Sequence, residues 1–262
     1  MKYQEAKSTY RQIRSISGWF SKEAAQLLAL LDEIQKKNKL TGDIFEIGVH
    51  HGKSALFLHR FLSDDEKMQV CDLFGNQKLN TSVSGLGDKA TFLKNADRIL
   101  GANTIQIHEK SSNALTIDEI GNSYRMFHVD GGHSFEEALA DLNLAAQAIQ
   151  PYGILILDDP FRSEWPGVTE AALEFLKQTI DFVPLAIGFN KLLLVRSTYY
   201  ELYSQALDTA SLRSDYGLGY PWAYKTMMLS GRSIRCFYMP SYLQNPTLKI
   251  RIYGLLKQLG LK

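Results

Sequence analysis

The sequence predicts an α/β protein, a doubly wound and mostly parallel seven-stranded sheet that ends in an antiparallel hairpin. An N-terminal helix precedes the sheet and a C-terminal extension follows it. Three observations lead there. From residue 43 to residue 196, short apolar runs alternate with amphipathic stretches, the pattern of strands joined by crossover helices. The last two runs, 182–189 and 191–196, lie too close for a crossover and must pair antiparallel through Phe189-Asn190. The stretch from His128 to Pro160 sets Asp130 at the end of one apolar run and Asp158-Asp159 at the end of the next. A helical pattern lies between them, so these carboxylates open on one sheet edge.

The elements follow in order. Residues 21–37 carry Leu27, Leu28, Leu30, Leu31 and Ile34 at helical spacing, with Ser21 as N-cap. Strands are expected at 44–49, 69–74, 104–109, 126–130 and 153–159, before the hairpin. Helices are expected near 52–62, 88–100, 112–120, 134–149 and 168–179. Residues 199–209 look helical, and the Tyr-rich stretch beyond them resists assignment. The chain divides into a helical cover (1–40), a ligand-binding domain (41–198) and a basic extension (199–262).

Composition narrows the function classes. With 262 residues, net charge +1, 45% hydrophobic and 22% charged residues, the chain reads as an ordinary soluble globular protein. Cys71 and Cys236 offer neither a disulfide framework nor metal-ligand spacing, which suits a reducing cytoplasm. The polar start MKYQEAKSTYRQIRS lacks a secretory signal's apolar core, and no apolar run reaches the ~20 residues of a membrane span. Residues 216–262 hold seven basic side chains and no acidic one, which leaves −6 on the first 215. That negative body, with no recognised module, argues against nucleic acid as a partner. In the tail, Leu248, Ile252, Leu255, Leu256 and Leu259 form one helical stripe flanked by Lys249, Arg251 and Lys257. It suits either an anionic membrane surface or packing on its own domain or a second subunit, and packing is favoured. The N-terminal helix is expected to cover the substrate entrance or contribute to a homo-oligomer.

The first strand runs into Glu46-Ile-Gly48-Val-His-His-Gly52-Lys-Ser54. Its glycines let the chain turn tightly and bring backbone N–H groups near a ligand. A P-loop needs four residues between its glycines and this loop has three; a dinucleotide G-x-G-x-x-G is absent. Asp72 ends the second strand 20 residues after Gly52, where a carboxylate can accept two ribose hydroxyls. These residues resemble the class I S-adenosylmethionine-dependent methyltransferases, whose first motif is E/D-x-G-x-x-x-G and whose fold is Rossmann-like. The resemblance implies that Glu46, Gly48 and Gly52 shape the methionine and ribose pocket while Asp72 holds the ribose. Ser54 joins that cofactor-binding set, and Ser111 is the candidate for the adenine edge. His50 and His51 are expected to be solvent-facing loop residues.

The later motif, Asp130-Gly-Gly-His133-Ser-Phe with Tyr152-Gly153 and Asp158-Asp159, is similar to a narrower branch. This is the metal-dependent O-methyltransferases of macrolide-sugar type, which read D-G-x-H-S-Y and later G-G-x-x-x-x-D-D. The match spans about residues 40–196. Two positions depart from the pattern: Gly132 stands where an acidic residue is common, and Tyr152 replaces a glycine. Clustered carboxylates beside a histidine are the composition of a hard-metal site with a base. Asp130, Asp158 and Asp159 are thus expected to hold Mg²⁺ or another divalent cation, which lowers the pKa of a substrate hydroxyl. His133 is the expected general base, with Asp130 in the catalytic set. The implied acceptor is a hydroxyl of a sugar or glycosylated metabolite. A catechol-like phenol, or a binding protein without turnover, are the alternatives.

Overall fold

The computed structural model describes residues 1–76, 78, 80, 84–101 and 104–241. The tail stripe from Leu248 to Leu259 lies outside them. All seven expected strands are present: β1 (Asp43–Ile47), β2 (Met68–Asp72), β3 (Ile105–Glu109), β4 (Tyr124–Val129), β5 (Ile149–Asp158), β6 (Phe182–Gly188) and β7 (Lys191–Arg196). Two more, β8 (Ala223–Leu229) and β9 (Arg232–Tyr238), form a second hairpin in the Tyr-rich stretch. They extend the sheet to nine strands in the order β3-β2-β1-β4-β5-β7-β6-β9-β8. The first five in that order are parallel; β7 runs against both β5 and β6.

Helices cover both faces: α1 (Tyr3–Ile13), α2 (Lys22–Lys37), α3 (Lys53–His59), α4 (Lys89–Leu100), α5 (Ile117–Ile120), α6 (Phe135–Ala148), α7 (Pro166–Gln178), α8 (Tyr200–Asp208) and α9 (Ala210–Asp215). The expected helix at 112–120 is a 3₁₀ turn followed by the four-residue α5. Strand alternation explains the two cores. Ile154 and Ile156 of β5 join the core under α1–α4 and α8, while Leu155 and Leu157 face α6 and α7.

The N-terminal helix is a core element. Ser21 caps α2, accepting from Ala24 N at 3.0 Å, and eleven of the helix's sixteen residues are buried. One buried cation ties it to the sheet. Arg125 of β4 reaches Asp32 at 2.9 Å, Gln35 Oε1 at 2.8 Å, the Phe61 carbonyl at 2.8 Å and Glu66 at 2.8 Å. Burial works against the Glu66 charge, but the Arg125 guanidinium holds its carboxyl below the ordinary range. No helix among the described residues is long and apolar enough to cross a membrane.

The chain runs outward from β1 to β2 and β3 on one side, then crosses back to place β4 on the other side of β1. In open α/β sheets, the crevice outside the strand ends at such a reversal is where ligands bind.

Candidate active site

A cavity of about 410 Å³ opens there, within the size range of small-molecule sites. Gly48, Ser54, Asp72, Ser111, Asp130, His133, Asp158 and Asp159 all line it. Of the ten residues expected at the site, Glu46 and Gly52 do not.

The glycine loop is shaped by packing. Gly48 has φ +82°, and a β-carbon there would run into the carbonyl of Asp130, so β1 and β4 approach as closely as glycine permits. Gly52, at φ +88°, caps α3 against the Phe92 ring. Asp72 accepts hydrogen bonds from the backbone N–H groups of Val49, His50 and Phe74, the second at 2.8 Å. It therefore anchors the loop as well as facing the cavity. Glu46 sits behind the wall, grouped with His128 and the lining Asp130: fully buried, its Oε1 is bonded to His128 Nδ1 at 2.7 Å. Glu46 Oε2 and His128 Nε2 have no hydrogen-bond partner among the described residues. Ser111 precedes the 3₁₀ turn at the opposite wall. The segment between α1 and α2 supplies the roof, with Ser17, Gly18, Trp19 and Phe20 lining the cavity. Lys53 Nζ donates to the Gly18 carbonyl at 2.9 Å, and Tyr10 Oη to that of Phe20 at 2.9 Å. His50, expected to face solvent, is half-buried against Trp19, with ring centroids 5.6 Å apart.

At the other end, His133 and the aspartates come together. His133 Nε2 lies 3.1 Å from Asp159 Oδ2 and its Nδ1 2.9 Å from Ser84 Oγ. Trp165 packs on the imidazole at a centroid distance of 4.2 Å. Asp159 adopts φ +58°, a conformation that aspartate tolerates better than most residues. Burial disfavours its charge, but hydrogen bonds from His133, Asn190 and Arg162 bring its carboxyl down to about 2. Asp130 goes the other way: burial and the neighbouring Asp158 charge push it well above the carboxylate range, with Lys191 opposing. Gly132, where an acid is common, is faced by Glu137, whose Oε2 lies 2.5 Å from where a β-carbon would stand. Glu137 closes a capping box with Ser134 and also lines the cavity.

The cation set is arranged differently from the expectation. Asp130, His133 and Asp159 each offer a ligand atom within 4.8 Å of the others, but Asp158 is not of that group. Asp158 is drawn to Lys191 Nζ, a contact that sequence reasoning missed. Asp158 Oδ1 accepts from Asp159 N and Asn190 Nδ2, both at 2.8 Å. Asp159 Oδ1 accepts from Asn190 Nδ2 and from Arg162 Nη1 at 3.2 Å. Hard cations require oxygens turned toward the ion. Here Asp158 Oδ1 is filled by two N–H donors and Oδ2 by the Lys191 ammonium, so Asp158 does not fit as a third ligand beside Asp130 and Asp159. The cavity does fit a nucleoside-bearing cofactor, with a carboxylate at Asp72, a hydroxyl at Ser111 and the glycine loop between them.

Comparison with known proteins agrees with the geometry. Residues 45–160 match a family model described as a methyltransferase domain. Among solved structures, the O-methyltransferase NovP is similar at 18% identity and a TM-score of 0.55, over 66% of this chain and 80% of NovP. An SAH-bound methyltransferase from Podospora anserina, PaMTH1, is 12% identical with a TM-score of 0.51, over 73% and 87%. Cofactor-bound Rv0187 from MTB is 11% identical with a TM-score of 0.51, over 74% and 88%. At these identities the likeness is one of fold. No curated protein matches the sequence.

Proposed function

We propose that this chain, which carries a methyltransferase domain, is a class I S-adenosylmethionine-dependent methyltransferase that methylates a hydroxyl oxygen of a sugar or glycosylated metabolite. The observation that carries the reading is the Asp159–His133 pair on the wall of the cavity that the glycine loop and Asp72 begin. Bound S-adenosylmethionine supplies a methyl group already activated on a sulfonium. An alcohol is a poor nucleophile while it keeps its proton, so the protein must remove that proton.

His133 does so in this reading. With its Nε2–H donated to Asp159, the Nδ1 lone pair takes a hydroxyl proton, in the place where Ser84 Oγ now lies at 2.9 Å. The Asp159 carboxylate stabilises the imidazolium that forms, and Trp165 holds the ring in place. Glu46 and Gly52 support the loop from behind, and Gly48, Ser54, Asp72 and Ser111 face the cofactor. Two observations favour a saccharide acceptor. Trp19, which is 74% exposed, and Trp165 present flat apolar rings to the cavity, and Arg162 and Glu137 present polar groups beside them.

The test is a transfer assay with methyl-labelled cofactor across sugars, glycosylated metabolites and phenols, followed by mass spectrometry of the product. Label on a saccharide oxygen is the expected result. Label confined to phenols, or to nitrogen or carbon, would overturn the acceptor assignment.

A further inference from the structure

The cluster of acids beside His133 holds a cation of its own. Lys191 is the first residue of β7, placed opposite Asp158, the last residue of β5, by the antiparallel register of the two strands. It is 1% exposed, and its ammonium is ion-paired with Asp158 Oδ2 and lies 5.8 Å from the centroid of the Phe20 ring. A lysine is almost never this buried unless it is paired. Its neighbours complete the arrangement. Asn190 bridges Asp158 and Asp159 through one side-chain nitrogen, and Arg162 reaches Asp159 from outside. Three carboxylates, if all ionised, bring −3, and Lys191 with Arg162 returns +2. A dication would enter a cluster already nearly neutralised, next to an ammonium bonded to one of its intended ligands.

We propose that Lys191 is the resident cation of this site, standing where a divalent metal would otherwise hold Asp158, and that the chain therefore binds no metal there and transfers methyl groups without one. Lys191 is a positioning residue: it touches Asp158, which lines the cavity, and does not itself line it. By neutralising Asp158 it lets three acids stand together beside the base without repelling one another apart.

The claim about turnover rests on the proposed function; the claim about metal binding does not, so the test begins with binding. Metal-stripped wild-type protein is titrated with Mn²⁺ and followed by electron paramagnetic resonance, in parallel with Lys191→Met and Lys191→Arg. The wild type and Lys191→Arg are expected to take up no stoichiometric Mn²⁺ up to about 1 mM, the weak end of biological divalent sites. Folded Lys191→Met, with its acids uncompensated, is expected to gain one site. A tight stoichiometric site in the wild type would overturn the proposal, and this arm holds even where Lys191→Met fails to fold. A folded Lys191→Met as silent as the wild type would also overturn it. Once an acceptor is known, chelator-treated wild type should keep its turnover within about twofold, and loss of turnover restored by Mg²⁺ would refute the metal-free step.

Discussion

Replacing His133 by glutamine removes the one imidazole in contact with Asp159 while keeping a polar side chain of similar reach beside Trp165. General-base catalysis is commonly worth about 10²–10⁴ in rate, which is about 3–5 kcal/mol of barrier. Because the imidazole stands at the acceptor end of the cavity and Asp72 and Ser111 at the other, cofactor affinity should stay within about threefold. Asp159→Asn removes the charge that steadies the imidazolium, so it should slow turnover without abolishing it. The two side chains act as a unit, so the double variant should be little slower than His133→Gln alone. The assay is single-turnover methyl transfer, with cofactor binding measured separately by calorimetry. A His133→Gln enzyme within tenfold of wild type, or a double variant showing the full product of both losses, would refute the dyad.

Other consequences concern stability. Asp141, buried and hydrogen-bonded to Ser112, is pushed up to about 7, chiefly by burial. Its carboxyl is raised above the unfolded value, so the native state holds a proton that the unfolded chain releases between about pH 4 and 7. Stability from this group falls across that window, by an amount on the order of 4 kcal/mol. Asp141→Asn should therefore raise Tm at pH 8 and lose that advantage by pH 4, as read by calorimetry across pH. Arg125→Met should cost about 3–5 kcal/mol by stranding Asp32 and Glu66, which lowers Tm by roughly 6–20 °C. Gly48→Ala should cost at least about 1–2 kcal/mol from its φ alone, and displacement of the Asp130 backbone should weaken cofactor binding. Denaturant unfolding and cofactor titration check both effects.

Most of the parallel half of the sheet was legible because β1, β2 and β4 are buried on both faces and read as apolar runs, while the edge strand β3 alternates Ile105 and Ile107 with polar residues. The β8–β9 hairpin was not, since four of the seven β8 residues are exposed and carry no apolar alternation. Helix α1 escaped for a related reason: its buried residues are Ala6, Thr9 and Ile13, and a single large apolar side chain among them makes no visible stripe. At the site, strand-end aspartates and the glycine loop announced themselves by position. Lys191 did not, because its importance comes from cross-strand register, Asp158 opposite Lys191. Glu46 illustrates the converse. Its motif position suggested the cofactor pocket, and its register opposite His128 gives it a buried partner that the motif did not announce.

If one cavity joins the methyl donor to the His133–Asp159 base, a crystal structure with S-adenosylhomocysteine should show ribose hydroxyls on Asp72, adenine toward Ser111 and the thioether sulfur facing the space beside His133 Nδ1. A cofactor product bound outside the glycine loop, or with its sulfur turned away from His133, would contradict it.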